Sequence, residues 1–550
     1  MNYKKYEKFP KFDLKKRTWP DKELVKAPVW CSTDLRDGNQ ALQIPMSLEQ
    51  KIEFFKFLIK IGFKEIEVAF PSASDTEFQL VRTLIEENII PDDVTIQVLT
   101  QAREHLIEKT FESLKGAKNA IVHLYNSTSP MFREWVFNKN QKEVKDMAVT
   151  GAKQFEELAA KYNMEHFRYE YSPETFSATE MDFALDICNA VLDVWKPSAD
   201  RKHIINLPET VQYTTPNVYA DQIEYMCGNL KYRENVLVSL HAHNDRGTGI
   251  AASELAFLAG ADRVEGTLFG NGERTGNADI MVLAMNFFMQ GIDCGLDFSD
   301  MDGIVKEYQK FTMMPVHPRH PYAGELVFTA FSGSHQDAIK KGMEKIGHDY
   351  KTWKMPYLII DPKDVGRNYE AIIRINSQSG KGGVFYVLEQ KYGIKVSMKA
   401  MAQEFGNITT EVSDKGNKEL VAEEIYDLFR QEYVNVDTPL ALVSFEEKTN
   451  GESAVSADIS VNGVSKSIDG KGRGIIDAFC KALTKELNIS FDVRDYSEHS
   501  LEDGAKSKAI TYIQISDANG NSYFGAGISA SISKSSIKAL ISAVNRMIKK

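Results

Sequence analysis

Two short polar segments in the N-terminal half of the chain carry side chains that could hold a metal ion. One reads His-Ala-His-Asn-Asp from His241, and the other reads Asp-Leu-Arg-Asp-Gly from Asp34. Residues two apart in a strand point to the same face, so His241 and His243 can direct two imidazoles at one point. Asp37 would complete a two-histidine, one-carboxylate set that leaves coordination positions open for a substrate and water. This pattern indicates chemistry on a divalent cation.

Two further residues, Asn277 and Arg36, could also act at this metal site. Asn277, at the end of a Gly-Asn-Gly-Glu-Arg-Thr-Gly-Asn run, offers a further oxygen to the same ion. Arg36 precedes Asp37 and has two interpretations. On a protein surface the two would form an ion pair of little energetic value, whereas beside a metal the guanidinium can stabilise a developing enolate or alkoxide oxygen. An isolated His-x-His motif is commonly structural, so the metal prediction depends on where these segments fall in the fold.

The elements that must position these side chains form a regular series. Short β-rich runs alternate with amphipathic helical stretches between residues 28 and 290. Eight strands are predicted, at Val29–Thr33, Ile66–Phe70, Val94–Leu99, Ala120–Leu124, His166–Tyr171, His203–Leu207, Val236–His241 and Arg263–Leu268. Eight βα units favour a closed (β/α)8 TIM barrel, with an open doubly wound sheet as the alternative. Functional groups in such a barrel lie at the carboxyl ends of the strands, where Asp37, His241 and Asn277 fall.

Composition and charge narrow the classes of protein. The chain has 550 residues, 43% of them hydrophobic and 10% aromatic, as expected of an ordered globular protein. Its 66 basic and 77 acidic residues give a net charge of −11, which argues against nucleic acid or an anionic membrane as a partner. No apolar run approaches the ~18 residues of a membrane span. The five cysteines are scattered without C-x-x-C spacing, so we expect no disulfide framework and a reducing cytoplasm.

Four segments are predicted along the chain. Residues 1–27 form an N-terminal arm that packs on the surface or on a second subunit, residues 28–325 form the barrel, and residues 326–435 form a linker of helical subdomains. Residues 436–550 contain a repeated βββα pattern. Its predicted elements are strands Leu440–Glu447, Glu452–Val461 and Val464–Ile468, helix Ile475–Leu487, strands Ser490–Tyr496, Lys508–Ser516 and Ser522–Gly527, and helix Ser533–Lys549. This α+β domain lacks an acid–base constellation, so we interpret it as a binding or regulatory module.

Nine stretches of the sequence carry a family resemblance. They are WCSTDLRDGNQAL (30–42), GFKEIEVAFPSAS (62–74), VHLYNSTS (122–129), YEYSPET (169–175), HAHNDRGT (241–248), LFGNGERTGN (268–277), AFSGSHQDA (330–338), PYLIIDPKDVGR (356–367) and GISASISKSSIKALISAVNRM (527–547). In these stretches the chain resembles the long-form 2-isopropylmalate synthases, a family of metal-dependent enzymes that condense acyl-CoA with α-ketoacids. The resemblance implies a Claisen-type condensation of acetyl-CoA with 2-oxoisovalerate, followed by thioester hydrolysis to 2-isopropylmalate and CoA, in leucine biosynthesis.

The resemblance also implies a metal site and a pair of groups for proton transfer. The positions that match the family's metal site are Asp37, His241, His243 and Asn277. Nitrogen and oxygen ligands of this kind accept zinc, manganese, magnesium or cobalt. Arg36 matches the arginine that contacts the keto oxygen. Glu174 and His335 match the pair associated with proton transfer.

Substrate and subunit contacts follow from the same resemblance. The positions that match the ketoacid pocket are His123, Tyr125 and Thr210. His335 falls in the linker, which in the family reaches the barrel of the partner subunit. The resemblance therefore implies a homodimer with shared active sites.

Leucine is the effector that the resemblance implies for the C-terminal domain. Small residues there would let a backbone approach the charged groups of an amino acid. The predicted regulatory positions are Gly470, Gly472, Gly525 and Ser529. Residues 470–474 read Gly-Lys-Gly-Arg-Gly where the family usually shows Gly-Asn-Gly-Pro, so the chain departs from the family at this point.

Other functions are compatible with the same motifs. Sibling enzymes that make homocitrate or citramalate differ in the shape of the ketoacid pocket, where one methylene is worth only ~1–3 kcal/mol. A metal-dependent lyase or aldolase on a barrel can use similar His-x-His ligands. A non-catalytic amino-acid sensor is a third class, but a sensor would not need Arg36, Asp37, Glu174 and both histidines together.

Overall fold

The structure is a computed structural model that describes the chain except residues 1–4, 6–8, 10–11, 331, 348–349, 368–380, 417–419, 502–506 and 550. It divides into two compact units. The first contains Met1–Val327 and Lys363–Gly366, and the second contains Phe328–Pro362 and Arg367–Lys550. Within the described residues, no helix is both long enough and apolar enough to cross a bilayer.

The first unit contains a closed barrel of eight parallel strands. In chain order these are β1 (Val29–Ser32), β2 (Glu65–Ala69), β3 (Thr95–Gln101), β4 (Ala120–Ser127), β5 (Arg168–Glu174), β6 (His203–Glu209), β7 (Val236–Ala242) and β8 (Arg263–Gly266). Each strand pairs with the next, and β1 pairs with β8 in a register that sets Cys31 opposite Glu265. The predicted (β/α)8 barrel is confirmed, and the sheet is not open.

Helices follow the strands and cover the barrel. They are α1 (Leu48–Ile61), α2 (Asp75–Glu86), α3 (Glu104–Ser113), α4 (Gln141–Tyr162), α5 (Met181–Trp195), α6 (Pro216–Asn229), α7 (Gly249–Leu258), α8 (Ile280–Phe288) and α9 (Met301–Thr312). Helix α1 illustrates how the sequence sets these bounds. Ser47 and Gln50 form a capping box at its start, and Gly62 ends it with a φ of 117°.

The described part of the N-terminal arm packs on the barrel surface along α6. Asp221 accepts hydrogen bonds from Arg17 Nε at 2.7 Å and from Trp19 Nε1 at 2.8 Å. Phe12 lies edge-on against Tyr225, with ring centroids 5.7 Å apart. These contacts join the described part of the arm to its own chain, and packing on a second subunit stays a prediction.

Four helices lie in the described residues at the start of the second unit. They are α10 (Gly333–Ile346), α11 (Lys381–Tyr392), α12 (Lys399–Gly416) and α13 (Ala422–Tyr433). Phe405 of α12 lies edge-on against Phe429 and Tyr433 of α13, at centroid distances of 5.1 and 5.9 Å. The helical character predicted for the segment after the barrel is confirmed.

The chain ends in two βββα halves, as predicted. The first consists of β9 (Leu440–Asn450), β10 (Glu452–Val461), β11 (Val464–Gly472) and α14 (Ile475–Leu487), and the second of β12 (Phe491–Ser500), β13 (Ala509–Asp517), β14 (Ser522–Ser529) and α15 (Ile532–Lys549). Each half is an antiparallel three-stranded sheet with a helix after it. Apolar side chains of both halves, including Ile468, Phe479, Ile513 and Leu540, form one buried cluster.

Glycine allows the helices of this repeat to lie close to their sheets. A Cβ atom at Gly525 would overlap backbone atoms of Ala539 and Ala543 in α15, and one at Gly470 would overlap the carbonyl oxygen of Ala478 in α14. The missing side chains therefore admit a helix backbone onto each sheet. Gly470 and Gly525 thus allow the same close packing of helix on sheet, one in each half of the repeat.

Candidate active site

A cavity of about 720 Å³ opens at the carboxyl ends of the barrel strands. Eight of the nine barrel residues singled out in the sequence line it: Arg36, Asp37, His123, Tyr125, Glu174, Thr210, His241 and His243. The ninth, Asn277, lies beside Asp37 and donates a hydrogen bond to its Oδ2 at 2.6 Å. The barrel therefore brings side chains from strands 1, 4, 5, 6, 7 and 8 to one place.

Asp37, His241 and His243 form a group with the geometry of a metal site. Asp37 lies on a short helical turn (Asp34–Gly38) after β1, while His241 lies in β7 and His243 follows that strand. Each offers a ligand atom within 4.8 Å of the other two, and all three residues are buried. His241 Nε2 lies 3.7 Å from Asp37 Oδ2. Such a spacing leaves room for a cation between the ligand atoms.

Two buried polar atoms beside this group are evidence that it binds a cation. His243 Nδ1 and Asn277 Oδ1 have no hydrogen-bond partner within the described residues. Buried polar atoms are normally paired, so atoms left over beside three potential ligands fit a site that takes a metal. Gly272 contributes here, because a Cβ atom at its φ of 152° would overlap the side-chain amide of Asn277.

The pKa values of the three ligand residues differ with their partners. Burial would raise the pKa of Asp37, but the positive charges of Arg36 and His241 hold it well below its usual range. Burial would lower the pKa of His241, yet the hydrogen bond to Glu265 and the negative charges of Asp37 and Glu265 raise it to about 9. For His243, burial and the charge of His241 lower the pKa to about 4. The pKa values of the two histidines are thus moved in opposite directions.

Arg36 is anchored by two carboxylates on the cavity wall. Its Nε donates to Glu67 Oε1 at 2.5 Å, and its Nη1 donates to Asp37 Oδ1 at 2.8 Å. The side chain is 11% exposed, so it is neither a surface group nor free to rotate. A fixed guanidinium beside a candidate metal ligand is suited to stabilise a negative oxygen.

Glu174 ends β5 and faces the same cavity. Its Oε2 accepts a hydrogen bond from Ser127, and burial raises the pKa of the carboxyl above its usual range. The next residue, Thr175, has a φ of 62° and donates its backbone N–H to Thr210 Oγ1 at 2.9 Å. Thr210 therefore fixes the turn that follows Glu174, in addition to lining the cavity.

His123 and Tyr125 lie on β4, two residues apart and thus on the same face. His123 Nδ1 lies 2.8 Å from Glu67 Oε2, and its Nε2 lies 2.7 Å from Ser172 Oγ. The Tyr125 hydroxyl accepts a hydrogen bond from Gln101 Nε2 at 2.7 Å. Both side chains are held in place by the barrel interior.

Sequence reasoning missed a buried network of charged residues beneath the cavity. Arg263, fully buried in β8, donates to Glu65 Oε2 at 2.6 Å and to Glu265 Oε1 at 3.0 Å. Nε2 of Gln97 donates to Glu265 at 2.8 Å and to Glu67 at 2.7 Å. The signal was present, since Glu65 and Glu67 in β2, and Arg263 and Glu265 in β8, alternate at the spacing of one strand face.

One group in this network, Glu67, His123 and Glu265, also has ligand atoms within 4.8 Å of one another. Arg36 and Arg263 already lie against its carboxylates, at 2.5 and 3.0 Å. Two guanidinium groups supply the positive charge that a cation would bring. Both carboxylates of this second group are therefore already paired with arginine.

The remaining predicted residues lie in the second unit. His335 is on α10, where its ring stacks on that of Tyr357 at a centroid distance of 3.8 Å. Gly470 and Gly472 end β11 and, with Gly525 in β14, lie against helix backbones rather than in an open loop. Ser529 ends β14 and accepts a hydrogen bond from the Ser531 backbone.

Three family models match the chain in succession. The HMGL-like family matches residues 27–306. A domain described as alpha-isopropylmalate synthase, post-catalytic domain-like, matches residues 325–389. The LeuA allosteric (dimerisation) domain matches residues 419–548.

Full-length relatives agree with this succession. A 2-isopropylmalate synthase of Acetoanaerobium sticklandii is 56% identical over 100% of this chain and 97% of its own length. Proteins of the same name from Pseudomonas putida and Clostridium acetobutylicum are each 54% identical over 99% of this chain, and 97% and 99% of their own lengths. With identity above half over the whole length, the chain belongs to the 2-isopropylmalate synthase family.

Proposed function

We propose that this protein is a 2-isopropylmalate synthase, an acyltransferase that joins acetyl-CoA to 2-oxoisovalerate and releases 2-isopropylmalate and CoA. The full-length similarity to relatives of that name supports the proposal. The observation that carries it is the convergence, at one barrel mouth, of three buried candidate metal ligands, the anchored guanidinium of Arg36 and the partly buried carboxyl group of Glu174. A non-catalytic amino-acid sensor would not need these residues together.

Asp37, His241 and His243 would hold a divalent ion, with Asn277 beside it. The unpartnered Nδ1 of His243 and Oδ1 of Asn277, among the described residues, support this assignment. Zinc, manganese, magnesium and cobalt all suit a nitrogen and oxygen ligand set. When bound, the ion supplies polarisation of the ketoacid carbonyl and offsets negative charge on its oxygen.

Arg36 would act on the same oxygen. The carbonyl oxygen becomes an alkoxide when its carbon forms a bond to the acetyl group, so a donor aimed at it binds the transition state more tightly than the substrate. The anchoring of Arg36 by Glu67 and Asp37 supports this role, because a guanidinium that is already fixed needs no reorganisation. His123, Tyr125 and Thr210 would form the ketoacid pocket around it.

Proton transfer would fall to Glu174 and His335. The methyl group of acetyl-CoA must lose a proton to a base before its carbon attacks the keto carbon, and the alkoxide must then gain one. Burial raises the pKa of Glu174, which makes its carboxylate a stronger base. Water then cleaves the thioester, giving the second carboxylate and the CoA thiol.

We also propose a homodimer with shared active sites and leucine as its effector. The match of residues 419–548 to an allosteric (dimerisation) domain supports both. We propose, in addition, the domain boundaries predicted from the sequence, at residues 27, 325 and 435. All five cysteines are free thiols, which supports a reducing cytoplasm as the location.

A thiol-release assay with a panel of ketoacids tests the proposed function. The purified protein, acetyl-CoA and a divalent metal salt would be combined with 2-oxoisovalerate, pyruvate or 2-oxoglutarate. We expect the highest kcat/KM with 2-oxoisovalerate. Preference for 2-oxoglutarate or pyruvate would instead indicate homocitrate or citramalate synthesis, and cleavage of a hydroxyacyl-CoA without condensation would indicate a lyase.

A further inference from the structure

Glu265 occupies the centre of the buried network and contacts one of the candidate metal ligands. Its Oε2 lies 3.0 Å from His241 Nδ1 and accepts a hydrogen bond from Asn206 Nδ2 at 3.1 Å. Its Oε1 accepts from Gln97 Nε2 at 2.8 Å and from Arg263 Nη1 at 3.0 Å. The residue is fully buried, so these contacts decide its orientation.

Three side chains besides His241 donate hydrogen bonds to Glu265. The amides of Gln97 and Asn206 and the guanidinium of Arg263 can donate here, and Gln97 Oε1 is itself turned towards Arg263 Nη2 at 2.7 Å. A carboxylate surrounded by donors accepts from the Nδ1–H of His241. The proton is thereby held on Nδ1, and Nε2, which faces Asp37, is left as the ligand atom.

His243 provides an internal comparison. Its Nδ1 is buried and has no hydrogen-bond partner within the described residues, whereas His241 Nδ1 meets a carboxylate. The two histidines of the His-x-His motif therefore differ, because Nδ1 of the first has a carboxylate partner and Nδ1 of the second has none within the described residues.

We propose that Glu265 is a positioning residue that holds His241 with Nε2 directed at the metal, and that Arg263 and Gln97 fix Glu265 for this purpose. The proposal rests on the proposed metal site. Outer carboxylates of this kind typically change metal affinity by about 10- to 100-fold.

The decisive variant is Glu265→Gln. An amide in place of the carboxylate must turn its NH2 group either towards His241 and Asn206 or towards Gln97 and Arg263, and each side already donates. We expect the affinity for Zn²⁺, measured without substrates by competition with a chromophoric chelator, to fall about 10- to 100-fold. The matched control is Glu65→Gln, which removes a carboxylate from the same Arg263 without touching a candidate ligand.

The possible results distinguish a failure of the positioning role of Glu265 from a failure of the proposed metal site. Equal affinity in Glu265→Gln and the wild type would overturn the positioning role, as would an equal loss in Glu65→Gln. Equal Zn²⁺ affinity in the wild type and in Asp37→Ala would instead overturn the proposed metal site. Should Glu265→Gln fail to fold, histidine ¹⁵N spectra of the Zn²⁺-loaded wild type decide: we expect His241 bound through Nε2 with Nδ1 protonated, and binding through Nδ1 contradicts the proposal.

Discussion

The barrel mouth and the C-terminal repeat bury polar groups in different ways. Beneath the cavity, Glu67, Arg263 and Glu265 are fully buried and charged, and each is held by hydrogen bonds to other strands. In the described part of the chain after Thr438, the buried polar side chains are uncharged serine, threonine and asparagine. Buried charges are costly unless they are paired, and proteins keep them where they serve a site.

The two regions also differ in what their close contacts achieve. Asn545 of α15 donates to the carbonyl groups of Val436 and Leu440 and so fastens the start of the repeat. Gly525 lets the same helix lie against its sheet. These contacts hold backbones together, whereas the barrel network orients side chains around a cavity. We therefore expect substitutions to affect chemistry in the first region and assembly or stability in the second.

The largest effect should come from Glu174→Gln. Removing a group that transfers a proton in the transition state typically lowers kcat by about 10²- to 10⁴-fold, with much less change in the ketoacid KM. We expect the same pattern for His335→Ala. Steady-state CoA release measures both parameters. A variant that loses only ketoacid affinity would place its residue in substrate binding instead.

Leucine should have the next largest effect, provided that the C-terminal repeat regulates the barrel. A coupling of ~1–3 kcal/mol corresponds to roughly 5- to 150-fold changes in affinity between the two states of the enzyme. Turnover of the full chain would be followed against leucine, with valine as the control. An unchanged rate at millimolar leucine would contradict a regulatory role for the C-terminal repeat. The repeat would then serve assembly, and the barrel catalysis.

Gly525→Ala tests the packing role of the repeat. The new Cβ atom overlaps the backbone of α15, and overpacking of this kind typically destabilises by about 1–3 kcal/mol. Gly474→Ala is the matched control, since nothing lies within 4 Å of its added Cβ and its φ of −162° suits any residue. Urea unfolding of each variant gives the free energies. Equal stabilities would show that α15 does not need the glycine.

Glu209→Gln should change how the stability of the fold depends on pH. Burial raises the pKa of Glu209 to about 8, and its Oε2 accepts from Gln212 at 2.9 Å. A carboxyl whose folded pKa is raised stabilises the fold at low pH, and that contribution is lost as the pH rises through about 8. The unfolding free energy of the metal-free wild type should thus fall relative to the variant by at most about 1.4 kcal/mol per unit between pH 5 and 8. Parallel pH profiles would refute this.

The sequence was informative where a periodic pattern sets the structure. The eight barrel strands and both βββα halves could be predicted because alternation and helical spacing follow directly from burial. Asp37, His241 and Asn277 could be predicted because they lie at or after strand ends. The residues of the ketoacid pocket and Glu174 were identified only through the family resemblance. Glu67, Gln97 and Glu265 could not be assigned in this way. Their role depends on which strands face one another across the barrel interior and on which atom of each side chain meets His241 or Arg36.

Removal of the metal is the decisive test of the barrel site, because the roles assigned to Asp37, His241 and His243 assume a cation between them. Bound metal and ketoacid-dependent CoA release would be measured on the wild type, on wild type stripped by a chelator, and on Asp37→Ala. A cation that offsets several kcal/mol of developing charge implies a loss of roughly 10³-fold on stripping, restored by added metal in the wild type and not in the variant. Full turnover by verifiably metal-free wild type would contradict the account.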